Sequence, residues 1–418
     1  MAEDVTHGNV TVTRGIDWAG AIPAPRLAQP LGVWWMRRNG SDADADAVVN
    51  RHVHTPASAS GTMTWCDVGA WHTRFPLYDS QDIPTEDAIF MFTAGGTVFT
   101  SGPMEDYEIS PDATGKLMCE VWGVTEEVIL QDRVIYPDPQ RWPEIQTTQS
   151  HDRRSGTAST VMMGYALDHT RMGDPVLGTW SRAYGNLQMG PDPVAGSTIS
   201  MRERWSGLLD TLQRAALKGG VGFRITREMS GHPTFEVYQP KDRSMWAVFS
   251  VGRGTVSDLT WRKSAPTATQ VIAAGTGELT ARIIAQDAKA DEFRYHRHIE
   301  LFRDQRSESD KTQMHADNKA ELAKNGARET IRVEATPALT YGEHYALGDK
   351  VRVVVDGQRW DGRPIVLREI VDRVQQVQWE ATPSGVVFSP VVGEDGSVSL
   401  VNGQRETSRR LQQIEGAA

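Results

Sequence analysis

The sequence predicts a mainly β chain with α+β insertions, and three observations carry that expectation. Its 418 residues hold short alternating or apolar runs near both ends, 38 Gly and 21 Pro that reverse the chain often, and one strongly marked helix between them. At roughly 150 residues per domain the length allows about three domains. A hydrophobic share of 39% supplies real cores, while a mean hydropathy of -0.44 and the abundance of turn formers argue against a helical bundle.

The runs at 10–12, 31–36, 88–92, 97–100, 116–122 and 127–130 read as strands of a first β-rich domain over 1–145. Within it, residues 39–75 shift to Ala, Ser, Asp, Thr and His with little periodicity, as expected for a long inserted loop. Pro137, Pro139 and Pro143 then mark a boundary near 145. From 201 to 218, Trp205, Leu208, Leu209, Leu212 and Ala216 form one apolar helical stripe. Ser200 and Glu203 have capping-box spacing at its start, and Gly219 and Gly220 offer a left-handed stop. Strands at 221–226 and 234–238, turning through Ser230 to Pro233, complete an α+β domain over 146–255. Residues 256–277 follow as a linking strand. A weaker helix ending at Asn325 and Gly326, with Ala316, Ala320 and Ala323 on one side, places a small α+β domain at 278–328. Strands at 330–334, 350–355, 364–370 and 374–379, separated by Asp356-Gly357 and Asp361-Gly362 turns, predict a second small antiparallel barrel over 329–383. Residues 384–418, polar after Gly393, read as a C-terminal extension that orders against a partner.

Charge and composition narrow the function classes. Lys+Arg of 44 against Asp+Glu of 54 gives a net charge of -10, which opposes tight grip on a phosphate backbone. The N-terminus lacks the basic and apolar regions of a signal peptide, and the uncharged stretch from Ala88 to Met104 is broken by Gly95, Gly96 and Pro103, so no membrane segment is expected. The 2 cysteines, Cys66 and Cys119, are too few for a disulfide framework and fit synthesis in a reducing cytoplasm.

No chemistry-bearing motif is complete. His52, His54, Cys66, Asp67 and His72 suit zinc by residue type, but their spacing matches no usual finger, and His7 is followed by Thr11 where a zinc peptidase needs Asp. Asp42, Asp44 and Asp46 resemble the start of a calcium loop, yet Ala47 stands where Gly is required and Val53 where the twelfth-position Glu belongs. Gly275 and Gly277 begin a dinucleotide pattern that fails at Thr280. Glu126 and Glu127 are adjacent on the chain, too common a pattern to assign as acid and base. The basic cluster from Arg294 to His298 reads as a solvated or interdomain surface. Nothing demands catalysis, a metal or a cofactor. The 13 Trp, among them Trp65, Trp71, Trp142 and Trp180, point instead to extensive protein contact surfaces.

An ordered set of segments resembles a known family. These are Trp122-Gly-Val-Thr-Glu-Glu-Val-Ile-Leu-Gln-Asp-Arg-Val-Ile-Tyr-Pro-Asp-Pro139, Leu208-Leu-Asp-Thr-Leu212 followed by Gly219-Gly-Val-Gly-Phe223, and Gly275-Thr-Gly-Glu-Leu-Thr-Ala-Arg282. Ile299-Glu-Leu-Phe-Arg-Asp-Gln-Arg306 and Tyr345-Ala-Leu-Gly-Asp-Lys-Val-Arg-Val353 complete the set. In this order they resemble the minor tail or tail-hub proteins of siphophages, particularly those of actinobacteria, related to the hub of contractile tails and the base of VgrG spikes.

The resemblance implies two β-barrel-like domains per chain that form a ring in a homotrimer, with two α+β domains outside. It implies a structural, non-enzymatic role at the virion tail tip. The expected partners are the distal tail protein, the C-terminus of the tape measure protein, fibre or receptor-binding proteins, and genomic DNA passing through the channel without specific binding. Gly348 and Asp349 are expected to be fold determinants, a positive-φ turn and an acceptor for backbone amides. Gly275, Gly277 and Arg282 belong to the same structural set. The 39–75 insertion, with Trp65, Trp71 and His72, is expected to touch a neighbouring tail protein. The competing functions are a tail-associated cell-wall hydrolase sited in that insertion, or a carbohydrate-binding receptor protein using exposed Trp71.

Overall fold

A computed structural model describes residues 30–37, 49–53, 56–78, 82–86, 88–170, 187–229, 231–289, 297–306, 308–336, 338–382 and 385–393. The expected strand at 10–12, the calcium-like acids, His54, Trp180, most of the 294–298 cluster and residues 394–418 lie outside them.

The chain is mainly β, as expected. A first β unit holds β1 (Leu31–Arg37), β2 (Val49–His52), β3 (Ser58–Thr64), β4 (Asp67–Pro76), β5 (Ile89–Ala94), β6 (Thr97–Pro111) and β7 (Leu117–Val124). The 39–75 segment is therefore not a long loop from residue 49 onward. β3 and β4 are inner strands of the sheet, and alternate residues Ala59, Met63, Trp71 and Phe75 are buried. Their many Ser, Thr and Gly residues disguise the period-2 pattern, because the outward face is merely polar and one inward position is Gly61, against which Trp379 packs. Deleting the segment would remove the middle of the sheet, so it is no detachable insertion.

Residues 127–130, which read as strand, instead form a single helical turn, α1 (Val128–Gln131). The α+β unit continues with β8 (Asp152–Thr157), α2 (Ala158–Thr170), β9 (Gln188–Met189), β10 (Thr198–Glu203), α3 (Leu208–Gly219), β11 (Gly222–Thr226) and β12 (Thr234–Tyr238). The marked helix begins seven residues later than its apolar stripe suggests. Residues 198–203 alternate buried and exposed as β10 and pair with β8, and Gly207 is the N-cap. Glu203 still serves the helix from outside: its Oε2 accepts hydrogen bonds from Ser206 Oγ (2.7 Å) and Arg214 Nη2 (2.7 Å). Gly220, at φ 70°, supplies the expected left-handed stop. Helix α2 has no clear apolar stripe because its buried half includes Ser159, His169 and Thr170 while Leu167 stands on the exposed half.

The remainder comprises β13 (Val248–Ser250), β14 (Val256–Ser264), β15 (Gln270–Ala274), β16 (Ile284–Ala288), β17 (Glu300–Asp304), α4 (Lys311–Asn325), β18 (Arg328–Ala335), β19 (Lys350–Gln358), β20 (Pro364–Thr382) and β21 (Gly385–Val392). β15, β16 and β17 form a small sheet under α4, whose buried face is Met314, Asn318 and Leu322, whereas Ala316, Ala320 and Ala323 are exposed. The expected separate strands at 364–370 and 374–379 are one 19-residue strand, β20. A bulge between Val374 and Gln376 changes its partners from β19 to β21 and β3. β21 falls within the stretch expected to be a C-terminal extension, yet Val386, Val391 and Val392 are core residues.

β20 fuses the two β units. The main sheet runs β14-β18-β21-β20-β3-β4-β7-β6-β5-β1-β2, with β19 on β20 and β13 on β19. One continuous core unites Phe90, Phe92, Trp71 and Val121 of the first unit with Phe249, Val353, Trp379 and Tyr345 of the second. The α+β unit keeps its own core.

Candidate functional site

The singled-out residues converge on a joint between the three units. Its centre is the β3–β4 turn, Trp65 and Cys66, which reaches out of the first β unit. Cys66 takes a positive φ of 55°. Its Sγ accepts a hydrogen bond from Phe223 N (3.3 Å) and its carbonyl accepts one from Gln213 Nε2 (3.0 Å), which ties the turn to α3 and β11. Burial pushes the Cys66 thiol up to about 12. A protonated, enclosed thiol is a poor zinc ligand and a poor nucleophile. At pH 8 neither Cys66 nor Cys119, whose thiol burial raises to about 11, is expected to react with a thiol reagent until the protein unfolds. Fast labelling of the folded chain, followed by mass spectrometry, would show that the joint opens.

Trp65 donates its backbone N–H to Gln375 O (2.8 Å), and Arg373 lies over its ring at 5.0 Å. Gly348 (φ 83°) closes the other side: a Cβ there would meet Trp65 Nε1 at 2.4 Å. Gly222 makes a similar approach, where a Cβ would lie 2.7 Å from the same nitrogen. Next to Gly348, the buried Asp349 accepts from Lys241 N (2.7 Å) at Oδ1, and from Arg243 Nε (2.7 Å) and Ala346 N (3.1 Å) at Oδ2. Tyr238 donates to Leu347 O (3.0 Å). The first β unit thus supplies the indole, and the α+β unit and the second β unit place Gly222, Gly348 and Arg373 against it.

A second weld joins the end of β7 to β11. Arg227 donates from Nε and Nη2 to the two carboxylate oxygens of Glu126 (2.5 and 3.0 Å), and the pair is only 5% and 2% exposed. Ser101 adds a hydrogen bond of 2.7 Å to Glu126 Oε1. Glu127 Oε1 accepts from Ile225 N (3.0 Å), and burial pushes its carboxyl up. The adjacent carboxylates, unassignable in sequence, are therefore interdomain ties. Between the welds lies a cavity of about 590 Å³, walled by Phe99, Phe388, Tyr341, Leu339, Glu127 and Arg224.

The other singled-out residues scatter. Trp71 is 2% exposed; its Nε1 donates to Val124 O (2.9 Å) and its ring packs on Phe90 and Phe92. It is a core residue and not a surface for sugars or partners. His72 stands half-buried on the outer face of β4, 2.8 Å from Glu120 Oε1 and with its ring tilted against Trp122. Gly275, Gly277 and Arg282 shape the β15–β16 turn. Gly277 has φ 102°, and Arg282 donates to the carbonyls of Gly275 and Ala274 (both 3.1 Å) and to Asp304. Among the described residues no group of three or more His, Cys, Asp or Glu is placed to hold a metal, and no helix is long and apolar enough to cross a membrane.

A search of curated proteins finds no match. Among solved structures, the chain resembles the prophage MuSo2 43 kDa tail protein from Shewanella oneidensis, at 12% identity and a TM-score of 0.52 over 86% of this chain and 98% of that one. It also aligns with a tail protein from Neisseria meningitidis (12% identity, TM-score 0.48, 88% and 97% covered) and with prophage tail protein gp18 from Listeria monocytogenes (9%, 0.46, 90% and 99%). The first likeness shows a shared fold over almost the full length of both chains. A family model described as Siphovirus ReqiPepy6 Gp37-like protein matches residues 45–394, from β2 through the last described strand, and the chain belongs to that family.

Proposed function

We propose that this chain is a structural protein of a siphophage tail: a tail-tip hub that assembles as a homotrimeric ring. The ring joins the tail tube and distal tail protein to fibre or receptor-binding proteins and surrounds the channel for DNA ejection. The observation that carries this reading is membership of a siphovirus family combined with a fold shared over 86% of this chain with a prophage tail protein. The joint supports it. Its groups are spent on one another: buried carboxylates bind Arg227, Arg243 and backbone amides, and the thiol is protonated, so the chemistry present holds domains together and activates no substrate. A hub transmits force and position, which requires such rigid attachment of outer units to the ring. The tape measure C-terminus meets the channel side in this reading. A chain of net charge -10 lets DNA pass without adhering.

Light scattering of the purified protein at several concentrations tests the assembly. The expected species has three times the 46.2 kDa chain mass. Gold-labelled antibody on virions is expected to mark the tail tip, and label along the shaft or on the capsid would overturn the location.

A further inference from the structure

Among the described residues, two stretches of the main sheet, the second half of β6 and the whole of β14, lack a neighbouring strand on one side. β5 pairs with residues 97–103 of β6 and then diverges, so residues 105–111 pair with β7 alone. β14 pairs with β18 alone along its whole length. Unpaired strand edges of this kind are templates for another strand. They are also related. From β14 through β18, β21, β20, β3, β4 and β7 to β6, every neighbouring pair is antiparallel. The run has an even number of strands, so β14 and β6 point in opposite directions. A second copy rotated about an axis along the strands therefore brings its β14 to β6 in antiparallel sense, continuing the sheet without a break.

The side chains select one register. On β6, Tyr107 and Ile109 lie on the core side with Val121 and Cys119, while Asp106 and Glu108 share the outer face with Trp122 and Glu120. On β14, Leu259 and Trp261 lie on the core side with Val333 and Ile331, and Thr260 and Arg262 face out. Tyr107, Ile109 and Trp261 are 39%, 36% and 39% exposed, a large apolar surface for sheet positions on the core side. Among the described residues, Asp106, Glu108, Arg262 and Lys263 make no ion pair.

Setting Tyr107 opposite Trp261 puts Asp106 opposite Arg262, Glu108 opposite Thr260 and Ile109 opposite Leu259. Glu105, at a bulge in β6, then comes beside Lys263. Sliding two residues one way sets Glu108 against Asp258. Sliding the other way sets Glu108 against Arg262 and Ile109 against Trp261, but leaves Tyr107 against Lys263 and Asp106 against Ser264. The first alignment is the most complete, with two opposite-charge and two apolar pairs against one of each in the last.

We propose that residues 105–111 of β6 receive β14 of a second copy of this chain, antiparallel, with Tyr107 opposite Trp261. This seam rests on the trimeric reading above and specifies its contact. Because the two edges differ, the contact is head-to-tail, and it closes into a ring when the rotation per copy divides a full turn.

The test is a disulfide across the seam in the full chain. Directly opposed residues of an antiparallel pair have Cα atoms about 4.5–5.5 Å apart, within disulfide reach, and the native cysteines are buried. Oxidised Asp106→Cys/Arg262→Cys protein is expected to run as covalent trimer on a non-reducing denaturing gel, with Glu108→Cys/Arg262→Cys linking at least about tenfold less. Charge reversal tests the seam without new thiols. Asp106→Arg and Arg262→Asp should each weaken association on the order of tenfold, and the double variant should recover it. A native trimer with no 106–262 link and no effect of reversal overturns the seam and leaves the hub reading standing. A stronger 108–262 link overturns the register. A native mass that stays monomeric overturns the trimer and the seam together.

Discussion

Glu126→Ala is expected to destabilise the protein by about 3–5 kcal/mol, because it strands the Arg227 guanidinium in the weld between β7 and β11. The guanidinium is 5% exposed and both of its strong bonds go to Glu126. Its remaining protein contacts, Gly231 O at 3.2 Å and Met36 Sδ at 3.7 Å, cannot replace a carboxylate. Arg227→Met is expected to cost a similar amount by leaving Glu126 with Ser101 alone. Replacing both residues by methionine should cost less than either single change, since no uncompensated charge is then buried. Urea unfolding measures this, read on the first transition because the α+β unit has a separate core and can unfold ahead of the sheet. A single-variant loss below about 1 kcal/mol would mean that the pair is solvated, as exposed ion pairs are, and that the weld is not closed.

The sequence carries the fold class and most strands because inward positions alternate with polar ones, as in Lys350–Gln358, where Val351, Val353 and Val355 are buried. It misleads where polarity and burial part company. β3 reads as loop because small polar residues suffice on a face packed only against its own sheet, and the inward Gly61 makes room for Trp379. β10 reads as helix because Ser200 and Glu203 have the spacing of a cap; the same carboxylate does bond near the start of α3, but from the end of a strand. Helix α2 is illegible because polar Ser159, His169 and Thr170 share its buried half while Leu167 lies outside, which blurs the stripe.

The joint was half legible. Gly348 and Asp349 stand out by residue type, since a turn glycine before an acceptor has one common use. Their partners do not: Trp65, Lys241 and Arg243 lie more than a hundred residues away in sequence, and only the fused sheet brings them together. Trp71 reads as a surface residue for the opposite reason: it is a large aromatic among polar neighbours, and the alternate positions Gly69 and Phe75 point inward with it.

Gly348→Ala is expected to cost about 3 kcal/mol or more, from two causes that can be separated. The first is backbone strain at φ 83°, roughly 1–2 kcal/mol for any side chain. The second is overlap: the new Cβ would lie 2.4 Å from Trp65 Nε1, adding about 1–3 kcal/mol of overpacking. The indole cannot simply move aside, because Gly222 and Tyr238 stand on one side of it and Arg373 covers its ring. Gly342 provides the internal control. Its φ is 84° and a Cβ there would meet nothing within 4 Å, so Gly342→Ala carries the strain alone. Thermal melts of the two variants should therefore differ, with Gly348→Ala the less stable. Trp65→Phe, which removes the clashing nitrogen, should restore part of the loss in the Gly348 background and none in the Gly342 background. Equal costs for the two glycines would mean that Trp65 does not fill the joint. The three units would then be held by the Glu126 and Asp349 ties, with no common aromatic centre.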